Sequence, residues 1–235
     1  MIPDAADARV VRRLAWPPAV PETPTTAREW LVTNGLGGYA FGTVEGTLTR
    51  RFHGLLIAAL PAPLGRVLML STVSQEIDLT RDDGRHDTLV VGGSGHADLP
   101  LREFALEWGL PVWRYGTDAV ALERRVWMPY GQNTVHIAYR LVRAPGPVSL
   151  ILRPQLQFRH HEALFSDTPT VPYALHVVED RFTVSAGDDR PALHLAIDGA
   201  APLFTVDPAK RPDVGYAMEA DRGYDDVGFR LVRDP

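Results

Sequence analysis

The sequence predicts an all-β protein: a large antiparallel β-sandwich with long loops and little helix. Three observations carry this. Two runs alternate with period two. In the first, Val120, Leu122, Arg124, Val126 and Met128 interleave with Ala121, Glu123, Arg125 and Trp127. In the second, Val135, Ile137, Tyr139 and Leu141 interleave with His136, Ala138 and Arg140. Such alternation marks half-buried strands, and the turn at Gly131–Asn133 between them makes a hairpin. Turn formers recur at even intervals (20 glycines and 20 prolines), which suits many short antiparallel strands. No segment keeps apolar residues at helical spacing for three turns, and no internal repeat is present.

Taken in order, the head from Met1 to Arg28 is rich in proline (Pro17, Pro18, Pro21 and Pro24) and reads as an extended arm. Residues 29–235 read as the sandwich. Trp30-Leu31-Val32 is strand-like. Strands are then expected at Gly54–Leu60, Val67–Leu79, Thr88–Val91, Leu101–Trp108, Val112–Tyr115, Val148–Phe158, Tyr173–Val178, Phe182–Ala186, Ala192–Asp198, Leu203–Val206 and Val227–Val232. Each is bounded by Gly, Pro or Asp turns such as Asp82-Asp83-Gly84 and Pro145-Gly146-Pro147. Glu162–Pro172 is the best candidate for a long loop.

Bulk properties narrow the function classes. A net charge of −5 and a pI near 5.9 argue against a nucleic-acid surface. With no cysteine, disulfides, thiolate nucleophiles and thiolate metal sites are excluded. No apolar run reaches membrane-spanning length and the head has no apolar signal core. A cytoplasmic location without membrane or nucleic-acid partners is therefore expected.

The most informative stretch is Glu29–Leu60, in which a glycine-dense segment leads into Thr49, Arg50, Arg51 and His53 and then an apolar strand. Gly35-Leu36-Gly37-Gly38-Tyr39-Ala40 fits the G-x-G-x-x-A dinucleotide fingerprint. That motif must open a helix, and the Gly-, Thr- and Val-rich Phe41–Thr49 is poor helix material. A phosphate loop fails because Thr43 and Val44 stand where Lys and Ser/Thr are required.

Residues 29–38 instead read E-W-L-V-T-N-G-L-G-G, and residues 49–56 read T-R-R-F-H-G-L-L. Together they resemble the opening signature of the N-terminal domain of bacterial and archaeal glycogen debranching enzymes of the amylo-α-1,6-glucosidase type. Leu152-Arg153-Pro154 through Phe158-Arg159-His160-His161 resembles a second family element. Glu219-Ala220-Asp221-Arg222-Gly223-Tyr224-Asp225 resembles the run that closes the family's N-terminal domain. Departures are Phe41 for a small serine, Phe52 for tyrosine, Gln155 for leucine, and His160 where an acid is common.

The resemblance implies a supersandwich-like, non-catalytic domain that packs on a downstream (α/α)6-barrel of the same polypeptide and helps shape a site for α-glucan. The catalytic acids would lie in that barrel, so the chain reads as a fragment that is inactive alone. A stand-alone glucan-binding module and a structural dimerisation domain are the alternatives, and an oligomer is compatible with each. Residues implied at the substrate or domain interface are Asn34, Gly37, Gly38, Arg50, Arg51, His53, Arg153, Arg159 and His161. No catalytic residue, metal or cofactor is expected.

The residues themselves leave some roles open. In strand geometry Arg51 and His53 share a face and Arg50 lies opposite. The cluster then either faces a partner domain or a sugar, or pairs with an internal acid to fix the glycine-rich loop. Glu103 and Glu107, four apart on one strand, read as solvated. Trp113 and Tyr115 share a face and read as core rather than an exposed sugar platform. His160-His161-Glu162 reads as a hydrogen-bonded loop, because adjacent strand residues diverge and one ion would need a bend there.

Overall fold

A computed structural model describes residues 10–16, 28–80, 84–93, 97–163, 172–179, 181–199, 203 and 216–220. The first strands are β1 (Val10–Ala15), β2 (Glu29–Thr33), β3 (Tyr39–Thr43), β4 (Gly54–Ala59) and β5 (Arg66–Thr80). There follow β6 (His86–Val90), β7 (Leu101–Glu107), β8 (Leu110–Gly116), β9 (Ala121–Trp127) and β10 (His136–Arg143). The last are β11 (Val148–His160), β12 (Ala174–Val178), β13 (Arg181–Ser185) and β14 (Leu193–Ala196), with a single turn of helix, α1 (Ala217–Ala220). Strand–strand pairing between these elements is antiparallel throughout, as the turn spacing predicts. The expected strands at Leu203–Val206 and Val227–Val232 lie largely or wholly outside the described residues.

Three sheets result. The first runs β1-β7-β8-β9-β10, so part of the head supplies its edge strand. The second runs β11-β5-β4-β3-β2. Its spine is the 15-residue β5, whose one edge pairs with β11 and whose other edge is shared by β4 and β6. The third is the small β12-β13-β14 sheet. Period-two alternation proved sufficient to place β9 and β10, which pair from His136↔Trp127 to Leu141↔Leu122.

The first two sheets meet through large apolar side chains. Trp30 of β2 and Trp113 of β8 contact edge to face, with centroids 5.0 Å apart and planes at 85°, a geometry that suits the ring quadrupoles. Each indole N–H donates to a carbonyl, Trp30 Nε1 to Thr43 and Trp113 Nε1 to Val44. Neither buried donor is therefore left unsatisfied. Phe104 packs on Trp113 at 5.3 Å, and the Arg124 guanidinium lies over the indole at 5.0 Å. Tyr115 is buried beside it, so both aromatics belong to the core. Val184 and Leu193 of the third sheet join the same core.

The outer face of the first sheet corrects one expectation. Glu103 and Glu107 are not solvated. Arg114 donates to both, Arg125 Nη2 reaches Glu107 at 2.7 Å, and Arg13 reaches Glu103 at 3.3 Å. Glu123, 2% exposed, takes Arg125 at 2.8 Å and Arg114 and Arg140 at 3.2 Å. Cross-strand register places these groups opposite one another (Glu103↔Arg114↔Glu123↔Arg140), and opposite charges at facing positions stabilise a sheet. Burial pushes the Glu107 carboxyl up, but its bonds to Arg114 and Arg125 outweigh that and hold it below the usual range.

Among the described residues no helix is long and apolar enough to cross a membrane. Truncating the central indole, Trp113→Ala, is expected to cost about 3–5 kcal/mol. Urea unfolding would measure this as a lowered midpoint with unchanged slope.

Candidate functional site

The β2–β3 hairpin has an inner face and an outer face. Trp30 and Val32 point into the core, whereas Glu29, Leu31 and Thr33 point outward. Register sets Leu31 against Phe41 and Thr33 against Tyr39 on β3. The outward residues floor a groove of about 620 Å³, a volume in the range of small-ligand sites. Gly37, Gly38, Arg50, Phe52, Arg66 and His161 complete its lining. Aromatic rings, guanidinium groups and one carboxylate thus share a single open surface. That mixture suits a polyhydroxylated ligand or a polar protein face.

The glycine-rich turn is built on Asn34, which is fully buried. Its Oδ1 accepts from the backbone N–H groups of Leu36 and Gly38, both at 3.0 Å. Its Nδ2 donates to the carbonyl of Gln132 and to Asn133 Oδ1 at 2.9 and 3.0 Å. All four hydrogen-bonding positions of the amide are then used. Asn133 in turn brackets Ala59 of β4, taking its N–H and donating to its carbonyl. Gly38 is obligatory here, since a Cβ would lie 2.6 Å from Asn34 Nδ2 and 2.9 Å from the Ile57 carbonyl. Gly37 has φ 94°, and its carbonyl accepts from Arg66 Nε at 2.7 Å.

Residues 50–53 form a turn rather than a strand, closed by the His53 N–H to the Arg50 carbonyl. The expected sharing of faces is therefore reversed. Arg50 and His53 converge on Glu29 Oε1, at 2.6 and 3.1 Å, while Arg51 turns away. His53 is completely buried. Its Nδ1 accepts from the Thr49 N–H at 3.1 Å, which leaves the proton on Nε2 to be donated to Glu29. The Phe41 ring packs edge-on against it at 4.6 Å. Burial is the main cause that brings the imidazole down to about 4; the Glu29 charge and bond oppose this and Arg50 adds to it.

Arg51 lies behind the groove wall, with Nε 3.7 Å from Glu219 Oε2 and Nη1 donating to the Glu162 carbonyl. Glu219 is wholly buried on α1, whose Met218 N–H donates to the Thr49 carbonyl. Arg159 is 1% exposed. It donates to Gln157 Oε1, to the carbonyls of His160, His161, Ala163 and Arg51, and to the Tyr216 hydroxyl. One guanidinium thus joins the end of β11, the arginine turn and the segment before α1. His161 lines the groove, with Nδ1 3.1 Å from the Tyr39 hydroxyl. Burial and the neighbouring His160 are the leading causes that bring its imidazole to about 4, opposed by Glu162.

Of the residues anticipated from sequence, Gly37, Gly38, Arg50 and His161 line the groove, and Asn34, His53, Arg51 and Arg159 support it from behind. Arg153 does neither; it pairs with Glu76 of β5 at 2.5 Å. Sequence reasoning missed Glu29, Leu31, Thr33, Tyr39, Phe41, Phe52 and Arg66 as lining residues. The outward phase of β2 was available as a signal for the first three. The approach of Arg66 from β5 had no local signal.

The scaffold is an all-β domain whose groove, built on the signature hairpin, is lined by aromatic and charged side chains. The family model described as "Glycogen debranching enzyme N terminal" matches residues 28–230. The chain belongs to that family. No curated protein and no solved structure matches it.

Two outcomes follow from the buried groups. The unfolded chain binds the proton that folded His53 refuses, so the stability it contributes is present above about pH 6.5. It is lost as pH falls toward 4, by at most about 1.4 kcal/mol per pH unit. Urea midpoints between about pH 7 and pH 5 are expected to fall more steeply for the wild type than for His53→Gln. Equal slopes would show that His53 titrates as in the unfolded chain. Arg159→Leu strands several carbonyls at once and is expected to lower stability by about 3 kcal/mol or more, read from the same unfolding curves.

Proposed function

We propose that this chain is the non-catalytic N-terminal domain of a glycogen-debranching amylo-α-1,6-glucosidase, and that its β2–β3 groove faces the branch-point site formed with a catalytic domain of the same polypeptide. The observation that carries this reading is the location of the groove. The family signature builds it, with Glu29, Gly37, Gly38 and Arg50 as lining and Asn34 and His53 as support. Hydrolysis of a glucosidic bond needs two carboxyl groups about 5–9.5 Å apart. The groove is lined by one carboxylate, Glu29, and its Oε1 already takes bonds from Arg50 and His53. Its chemistry suits positioning and not bond cleavage. Aromatic faces at Tyr39, Phe41 and Phe52 offer apolar contact to pyranose rings, and Arg50 and Arg66 offer donors to hydroxyls.

The test is kinetic, in the full-length enzyme. Phe52→Ala and Arg66→Ala are expected to lower kcat/KM on a branched limit dextrin at least about tenfold, or 1.4 kcal/mol of transition-state stabilisation, without lowering the unfolding midpoint to match. Unchanged kcat/KM in both would refute the placement of the groove. The isolated chain is expected to bind maltooligosaccharides only above millimolar concentration. Micromolar binding abolished by the same substitutions would identify an independent glucan-binding module instead.

A further inference from the structure

The run His160-His161-Glu162 has a geometry that strand alternation did not foretell. β11 ends at His160, and the chain then closes a turn through the Ala163 N–H to the His160 carbonyl at 3.0 Å. The turn brings both imidazoles and the carboxylate to one side, where a ligand atom from each lies within 4.8 Å of the others. His161 Nε2 and Glu162 Oε1 are 3.8 Å apart. Two ligands of a tetrahedral ion with bonds of 2.0–2.1 Å stand about 3.3 Å apart, so this pair needs only a small rotation of the exposed Glu162 side chain, and His160 must approach within the 4.8 Å span of the set.

Two further features make this more than a chance grouping. The turn is rigidly held, because the buried Arg159 donates to the carbonyls of His160, His161 and Ala163 at 2.9–3.2 Å, and the His161 N–H donates to the Arg66 carbonyl. The second feature is Tyr39, whose hydroxyl meets His161 Nδ1 at 3.1 Å. An outer partner on one ring nitrogen fixes the tautomer and turns the other nitrogen toward a metal. The guanidinium groups around the turn bond backbone carbonyls: Arg66 that of Gly37, Arg159 those of the turn, and Arg51 that of Glu162.

We infer that His160, His161 and Glu162 bind a divalent transition-metal ion of the zinc class at the lip of the groove, with Tyr39 as the positioning residue. Two imidazoles and one carboxylate select borderline ions over magnesium or calcium. Three protein ligands leave at least one coordination position open to water. On binding, the backbone N–H of Glu162 gives up its long 3.3 Å bond to His160 Nδ1, or that ring coordinates through Nε2.

The experiment is a titration of the full chain with Co²⁺, followed by its visible absorption band, with Zn²⁺ competition by calorimetry. One equivalent is expected to bind, and Zn²⁺ to displace it. His161→Ala is expected to weaken binding at least about 100-fold, and Tyr39→Phe about tenfold. Glu162→Gln, at an exposed position that folding does not depend on, is expected to weaken it about tenfold. Absence of a band at millimolar Co²⁺ would overturn the site, as would a band of unchanged affinity in both His161→Ala and Glu162→Gln. Neither result bears on the kinetic test of the groove, which uses Phe52 and Arg66.

Discussion

The interior position of Arg159 is the constraint on which the site depends. A guanidinium cannot lose its charge within a protein and carries five donors in a fixed plane. Placing it at 1% exposure is tolerable only if those donors are met. Here most acceptors are backbone carbonyls from two separate segments, joined by a glutamine and a tyrosine side chain. Backbone acceptors cannot rotate away, so the arginine dictates where the chain runs at residues 51 and 160–163. A register shift in β11 just before it allows Gln157, Phe158 and Arg159 to be buried in succession. Such an irregularity re-aims side chains that a regular strand would send alternately to opposite faces.

The groove follows from two such anchors. Asn34 and Asn133 tie the glycine-rich turn to β4 and to the β9–β10 connection. Arg159 ties the end of β11 to the arginine turn. Between them Glu29 is held by a neutral histidine and a charged arginine, which fixes the carboxylate in place. A surface assembled in this way is preorganised, and preorganisation lowers the ordering cost of binding. The neighbouring turn at His160–Glu162 inherits the same rigidity.

Much of the fold was legible from alternation and turn chemistry. β9 and β10 were found because apolar and polar residues alternate along them, and β5 and β8 as apolar runs bounded by turn residues. β3 was not, since Tyr39-Ala40-Phe41-Gly42-Thr43 carries no alternation of polarity; its outward residues are aromatic because they line a groove. The charge lattice was hidden for a related reason. Glutamates at outward strand positions ordinarily meet water, and only the pairing of β7, β8 and β9 reveals that arginines cover them. At the site, the signature residues were legible as a group but not by role. Arg50, Arg51 and His53 were assigned faces from strand geometry, and the turn that closes on His53 exchanged them. Arg66 and Arg159 act across sheet strands and sequence gaps that no local pattern encodes.

The carboxylate of Glu123 sits under three arginines, 2.8–3.2 Å away. This gives the first sheet an ordered mutational history. Removing a covering arginine first leaves the buried carboxylate short of one partner, whereas exchanging Glu123 first for a neutral residue leaves Arg114 and Arg125 on Glu103 and Glu107 and Arg140 toward solvent. Sequence drift on this face is therefore directional.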